Sequence, residues 1–295
     1  MAASVHRPVL PDEVCTWLAP RSGSTLVDGT LGGAGHTRLL AAHVGKEGLV
    51  IGLDRDPAVV ARAEKELQGM PVAVAHANYA DLPEVLAELK LAHVDGILLD
   101  LGLSSDQLND VGRGFSFAAD GPLDLRFDPT SGQPASQLIA RLGERQLADL
   151  IYRFGEERHS RRIARRIVAE REKQPIRSAD QLARIVRSSV PKTKTRHRID
   201  PATRTFQALR IAVNEELKWL EVALERLPDC LAPGGRLAMI SFHSLEDRLV
   251  KNAFRDDSRL NVLTTKPLVA SEEEVAENPR ARSAKLRVAA RIATE

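Results

Sequence analysis

The sequence predicts an α/β fold: a parallel, doubly wound sheet interrupted by an all-helical insert. Three observations carry this reading. First, the buried-strand run Thr25-Leu26-Val27 passes through Asp28-Gly29-Thr30-Leu31-Gly32-Gly33-Ala34-Gly35-His36 into the helical run Thr37–Val44. Second, strand-like and helix-like segments alternate over the first hundred residues, the rhythm of a doubly wound sheet. Third, that rhythm stops from Leu103 to about Thr203 and then resumes.

Each element has its own signal. Leu49-Val50-Ile51-Gly52-Leu53 reads as the second buried strand, ends in Asp54, and precedes a helix with Pro57 at its first position. Val72-Ala73-Val74-Ala75 is the third strand, followed by a turn at Asn78 and Tyr79 and a helix capped by Asp81. Val94–Leu99 is the fourth and ends at Asp100. The insert opens with turn-rich Gly112–Phe117 and Asp120-Gly121-Pro122, then gives helical patterns at Glu144–Tyr152, Ser160–Glu172 and Ser178–Val190. Pro191–Pro201 reads as a basic linker. Phe206 to about Leu231 reads as one long amphipathic helix, ended near Pro233-Gly234-Gly235. Arg236–Phe242 is the fifth strand, and Ser244 is placed to cap the next helix. Segments near Val262 and over Lys285–Ile292 close the sheet as an antiparallel edge hairpin. The expected domains are therefore 1–102, the inserted helical domain 103–204, and 205–295.

The glycine-rich turn after the first strand is a nucleotide cradle, because glycine lets backbone approach a ligand closely. The strict G-x-G-x-x-G pattern is absent, and Asp28 beside the glycines disfavours a diphosphate. A ligand with a cationic amino-acid end, such as S-adenosylmethionine (SAM), suits this carboxylate better than NAD. Asp54 lies about 20 residues past the glycines, where an acid accepts ribose hydroxyls, although an Asp before Pro57 also serves as a plain helix cap. Asp28, Asp54, Tyr79 and Asp100 all fall at strand ends, where ligands of such sheets bind.

Bulk composition narrows the function. The 295 residues are 43% hydrophobic and 28% charged, enough for a substantial core. Cys15 and Cys230 have no paired spacing, so neither a zinc site nor a disulfide scaffold is indicated, and a reducing cytoplasm is the expected location. No metal and no membrane segment are expected. The net charge of +2 hides segregation: Arg141 to Arg210 holds 19 Arg or Lys against 8 Asp or Glu. Such a patch is the electrostatic footprint of a polyanion partner. In Arg161-Arg162-Ile163-Ala164-Arg165-Arg166-Ile167-Val168, a buried face at 163, 167 and 168 leaves four arginines outward. Lys192, Lys194 and Arg196 extend the patch, and Phe115, Phe117, Tyr152 and Phe154 are candidates to stack on bases.

These motifs resemble, in order and nearly end to end, the bacterial small-subunit ribosomal RNA methyltransferase H family. The resemblance rests on His6 with Val9-Leu10, Asp28-Gly-Thr with Gly35-His36, Asp54-Arg55-Asp56-Pro57, and Leu98-Leu99-Asp100-Leu101-Gly102-Leu103-Ser104-Ser105. It continues through Arg113–Phe117, Asp120–Arg126, Tyr152–Arg158, Pro201–Gln207, Ser241–Arg248 and Glu277-Asn-Pro-Arg-Ala-Arg-Ser283. It implies a class I (Rossmann-like) SAM-dependent methyltransferase sheet with an inserted helical domain. It further implies methylation of the exocyclic N4 of a cytosine in the decoding region of 16S rRNA, free or within the small subunit or its precursor. A homodimer is left open.

The resemblance places SAM against Ala34, Gly35, His36, Asp54, Tyr79, Asp100 and Gln107. Ala34 stands where glycine is usual, which requires a negative φ, and Tyr79 stands where phenylalanine is usual. The exocyclic amine is a weak nucleophile, so an acceptor must orient its lone pair toward the methyl group. Asp100, Ser104 and His243 are the catalytic candidates; cofactor contact for Asp100, a helix cap for Ser104 and a structural ring for His243 remain open beside that role. Two other classes compete: an NAD-dependent oxidoreductase, and a non-enzymatic RNA-binding assembly factor with a vestigial SAM pocket.

Overall fold

The structure, a computed structural model, describes residues 7–116, 121–191 and 200–293, apart from the side chains at 105 and 109. It divides into two compact units, residues 1–104 with 217–295, and residues 105–216.

The chain begins with α1 (Pro11–Leu18), β1 (Thr25–Asp28), α2 (Gly35–Val44), β2 (Leu49–Asp54), α3 (Pro57–Glu66), β3 (Val72–His76), α4 (Leu82–Glu88) and β4 (Val94–Asp100). It continues with α5 (Ser105–Asn109), α6 (Ala135–Arg141), α7 (Glu144–Gly155), α8 (Ser160–Lys173), α9 (Ala179–Ser189), α10 (Ala202–Asn214) and α11 (Glu216–Cys230). It ends with β5 (Leu231–Ser241), α12 (Ser244–Asp256), β6 (Leu260–Val262), α13 (Glu272–Glu277) and β7 (Lys285–Arg291).

Among the described residues, seven strands form one sheet in the order β3-β2-β1-β4-β5-β7-β6. The first five are parallel; β7 runs antiparallel to both β5 and β6. Because successive strand residues face opposite ways, each strand feeds two cores. Val27, Ile51, Leu53, Ile97, Leu99, Leu237 and Met239 pack on the side of α4 and α11. Leu26, Val50, Leu98, Ala238, Ile240 and Val288 pack on the side of α1 and α2. Burial on both faces explains the unbroken apolar runs that marked the strands, and each fully buried Leu or Ile contributes about 1.5–3 kcal/mol. Helix starts follow local chemistry as well. Asp56 accepts the Ala58 N–H at 3.0 Å with Pro57 at the first turn of α3.

Several elements differ from the sequence reading. The single helix expected over 206–231 is two, α10 and α11, because Glu215 takes a left-handed conformation with φ 51°. β5 begins at Leu231, and residues 232–235 bulge between the Val94–Leu231 and Gly96–Arg236 pairings. Asp81 stands at the N-cap position of α4 as expected, but its side chain accepts no capping hydrogen bond; Asn78 caps the preceding turn 79–81, accepting the Ala80 N–H at 3.1 Å.

The second unit is helical, with α7 packed on α8 and α10, and α8 on α9. Its loop 121–134 is pinned at Leu125, a buried residue with φ 65°. Asn214 donates to the Leu125 carbonyl at 2.7 Å and accepts from the Phe127 N–H at 2.7 Å, which holds that strained turn in place.

Candidate functional site

The loop 29–34 is stitched to the strands on both sides of β1. Gly29 N–H donates to Leu98 O and Leu31 N–H to Leu53 O, each at 2.9 Å. A Cβ at position 29 would stand 2.3 Å from Leu99 Cδ2 and 3.0 Å from Tyr79 Cβ, so only glycine fits there. Gly32 has φ +48°, and a Cβ on it would press on Ser104 Cβ at 3.2 Å. Tyr79 and Ser104 thus border the loop from opposite neighbours.

Ala34 takes φ 58°, ψ 22° at the start of α2. The negative φ expected of an alanine there is not found. The left-handed conformation costs a non-glycine residue about 1–2 kcal/mol, and the surrounding loop holds it. Gly35 then opens α2.

Three strand-end acids meet this loop in different ways. Asp28 is 1% exposed and lies beneath it. One oxygen accepts the Thr37 hydroxyl at 2.6 Å; the other accepts the Thr30 N–H at 3.2 Å and hydroxyl at 3.4 Å. Asp28 therefore braces the loop from below, where the sequence reading had it facing a ligand ammonium. Asp54 flanks the loop, accepting Gly32 N–H at 2.9 Å and Asp56 N–H at 2.8 Å. Burial raises its pKa from 3.8 to about 6, against those two N–H donors and with the help of the Asp56 and Asp28 charges.

Asp100 sits on the far side. Its N–H donates to Thr30 Oγ1 at 2.6 Å. Oδ2 lies 3.7 Å from His36 Nδ1, and Oδ1 is buried with no hydrogen-bond partner among the described residues. Burial lifts its pKa to about 6; His36 and Arg280 oppose this, while Asp28 and Glu246 add to it. His36 is itself buried, and its Nε2 donates to Val9 O at 2.9 Å. The site is thus rich in acceptors and short of donors. A buried carboxylate oxygen without a partner costs about 1–3 kcal/mol or more, which a donor-bearing or cationic ligand relieves.

His243 follows β5 and is the N-cap of α12, a place the sequence reading gave to Ser244. Its Nδ1 accepts Glu246 N–H at 3.3 Å, and Nε2 lies 3.1 Å from Glu246 Oε1. Glu246 in turn accepts Phe242 N–H at 2.9 Å and His243 N–H at 3.3 Å. Nδ1 thus shapes this turn, while Nε2 is buried and makes no hydrogen bond among the described residues.

In the helical unit, Gln107 is buried on α5. On α8, Ile163, Ala164 and Ile167 are buried and Arg161, Arg162, Arg165 and Arg166 are exposed. Arg165 approaches Glu144 at 3.4 Å and Arg166 pairs with Glu170 at 2.9 Å. Arg161 and Arg162 make no ion pair among the described residues. Tyr152 is 63% exposed, whereas Phe115 is buried 5.8 Å from the Phe127 ring and Phe154 lies under Arg153. Lys192, Lys194, Arg196 and Phe117 lie outside the described residues.

Sequence reasoning gave no site role to Thr30, Val9 and Arg280, though all three stand in its motifs, and none to Thr37. The Thr residues sit two and nine positions after Asp28, and that spacing could have suggested them. Val9 and Arg280 are joined to the site only by the tertiary fold.

Residues 3–292 match the model of the MraW methylase family. The chain belongs to this family. It is 51% identical to the ribosomal RNA small subunit methyltransferase H of Rhodopirellula baltica, over 99% of this chain and 93% of that protein. It is 52% identical to the protein of the same name from Deinococcus radiodurans, over 98% and 90%. An rRNA methylase structure from Streptococcus thermophilus superposes with a TM-score of 0.45 at 11% identity, over 96% of this chain and 94% of that chain. As a member of the MraW family the chain is a methylase, and its seven-stranded sheet is of the class I methyltransferase type. Among the described residues no helix is long and apolar enough to cross a membrane.

Proposed function

We propose that this methylase transfers a methyl group from SAM to the exocyclic N4 of a cytosine in 16S rRNA, in the decoding region of the small subunit or its precursor. The observation that carries the cofactor half is the unpartnered buried Oδ1 of Asp100 beside the braced loop. The near relatives, named for the small-subunit rRNA, support the RNA half.

SAM offers donors where the site has acceptors. Asp54 would accept the ribose hydroxyls, Asp100 the cationic amino-acid end, and Ala34, Gly35 and His36 would border that end. Tyr79 would line the adenosine side, and Gln107 would complete the set. When bound, SAM supplies an electrophilic methyl carbon. The N4 lone pair would take that carbon, with the C–S electron pair passing to sulfur and the amine proton to water. The chain's task is to orient the amine and exclude other nucleophiles. Leu101–Ser104, which leaves β4 beside the loop, is the stretch we assign to the target base, and Ser104 would border that base. His243 shapes the neighbouring turn. Arg161, Arg162, Arg165, Arg166, Lys192, Lys194 and Arg196 would hold phosphates, which fixes position rather than base identity. Tyr152 is the exposed ring available to a base.

The test is mass spectrometry of nucleosides from 16S rRNA, free or in 30S particles, incubated with the protein and SAM. Cytidine methylated on its amine is expected. RNA binding without any methylated product, at every SAM concentration, would leave a binding factor instead.

A further inference from the structure

The motif Glu277–Ser283 lies far along the chain from the glycine loop, yet the fold brings it alongside. α13 and the following turn 279–283 belong to the sheet unit. The Arg280 guanidinium donates to the carbonyl of Leu103, on the stretch that leaves β4 just after Asp100. Its charge acts to lower the pKa of Asp100, as does His36 of α2; Asp28 of β1 and Glu246 of α12 act in the opposite sense.

The same segment ties down residues 7–10. Glu274 accepts Leu10 N–H at 2.7 Å, Asn278 donates to Arg7 O at 3.3 Å, and Arg7 pairs with Glu277. Val9, between those anchors, is the residue whose carbonyl accepts from His36. Segment 274–280 therefore reaches Asp100 by two routes: directly through Arg280, and through Val9 and His36. A guanidinium presents a rigid planar fork, which suits a residue that must fix a main-chain carbonyl and hold charge at the same place.

We propose that Arg280 is a positioning residue for methyl transfer, fixing Leu101–Ser104 against the glycine loop and keeping positive charge beside Asp100. This rests on the function proposed above, since it assigns that stretch to the target base.

The experiment measures steady-state methyl transfer to 16S rRNA from pH 5 to 9 for the full chain, Arg280→Ala, Arg280→Lys and, as control, the exposed Arg282→Ala. In Arg280→Ala, kcat falls about tenfold or more, with KM for RNA within about twofold, because the loss is one of orientation. Asp100 also loses a cationic neighbour, so in the ligand-free chain it ionises at higher pH, and the acid limb of kcat/KM for SAM moves up by about one pH unit. Arg280→Lys keeps the charge and loses the fork: kcat falls, but the limb stays. Arg282→Ala behaves as the parent chain. An Arg280→Ala protein with parental kcat and limb overturns the inference. Should that variant fail to fold, an Arg280→Lys protein with parental kcat overturns it equally. A parent chain with no methyl transfer refutes the proposed function itself, whereas an active parent with an indifferent Arg280→Ala refutes this inference alone.

Discussion

Nδ1 of His36 lies 3.7 Å from Oδ2 of Asp100, while Nε2 of the same ring donates to Val9 O at 2.9 Å. One side chain thus links the N-terminal stretch, the start of α2 and the end of β4. His36→Ala removes the donor from Val9 and a counter-group from Asp100. SAM affinity is expected to fall about 10- to 100-fold, which corresponds to about 1.4–2.8 kcal/mol. The loss should be larger at pH 6 than at pH 8, because Asp100 then stays protonated to higher pH. Calorimetric titrations at the two pH values check this, and equal affinities for parent and variant would count against it.

Asp54 and Asp100 link cofactor binding to pH. Each carboxyl has its pKa raised from 3.8 to about 6 in the folded, ligand-free chain. Between about pH 4 and 6 the folded chain therefore binds more protons than the unfolded chain. These two groups make stability fall as pH rises through that window. A cationic, donor-bearing ligand favours their ionised forms, so SAM binding should release protons near pH 6 and almost none at pH 8. Titrations in buffers of different ionisation enthalpy report the proton count. Uptake instead of release near pH 6 would show that neither acid receives the ligand.

Ala34 carries backbone strain that glycine would not. Ala34→Gly relieves the left-handed cost and gives back part of the gain as unfolded-chain entropy, so a net stabilisation of about 0.5–1 kcal/mol is expected. A higher urea midpoint at an unchanged slope is the readout. A lower midpoint would mean that the buried methyl group of Ala34 contributes more by packing than its backbone costs.

Among the α8 arginines, Arg161 and Arg162 make no ion pair among the described residues, whereas Arg165 and Arg166 each have a carboxylate within reach. Replacing the first two by Ala should flatten the dependence of log K on log salt for RNA binding by about 1.4, the value for two phosphate contacts on single strands. The second pair should matter less, since those charges are partly satisfied within the protein. An unaltered slope for Arg161→Ala/Arg162→Ala would move the RNA face off α8.

The sheet was legible because parallel strands buried on both faces leave unbroken apolar runs, as at Val50–Leu53 and Ile97–Leu99. The glycine loop was legible because glycines clustered between a buried strand and a helix mark a tight turn, although the neighbours that exclude a Cβ there, Leu99, Tyr79 and Ser104, come from distant segments. The role of Asp28 was not: a strand-end acid looks the same whether it faces a ligand or, as here, Thr30 and Thr37 beneath the loop. The break at Glu215 escaped because amphipathic periodicity runs straight through it, and only the left-handed residue ends α10. Arg280 and Val9 escaped for a different reason, since their neighbours at the site are supplied by tertiary contacts between distant segments.

Asp100 offers the most direct test. Asp100→Asn keeps the shape of the side chain and removes its charge. Calorimetry of SAM binding from pH 5 to 8 should show affinity lowered about 30-fold or more at pH 8, with proton release near pH 6 reduced to what Asp54 alone provides. An Asp100→Asn protein that binds SAM as tightly as the parent chain, with the same proton release, would contradict the placement of the cofactor's cationic end at this carboxylate.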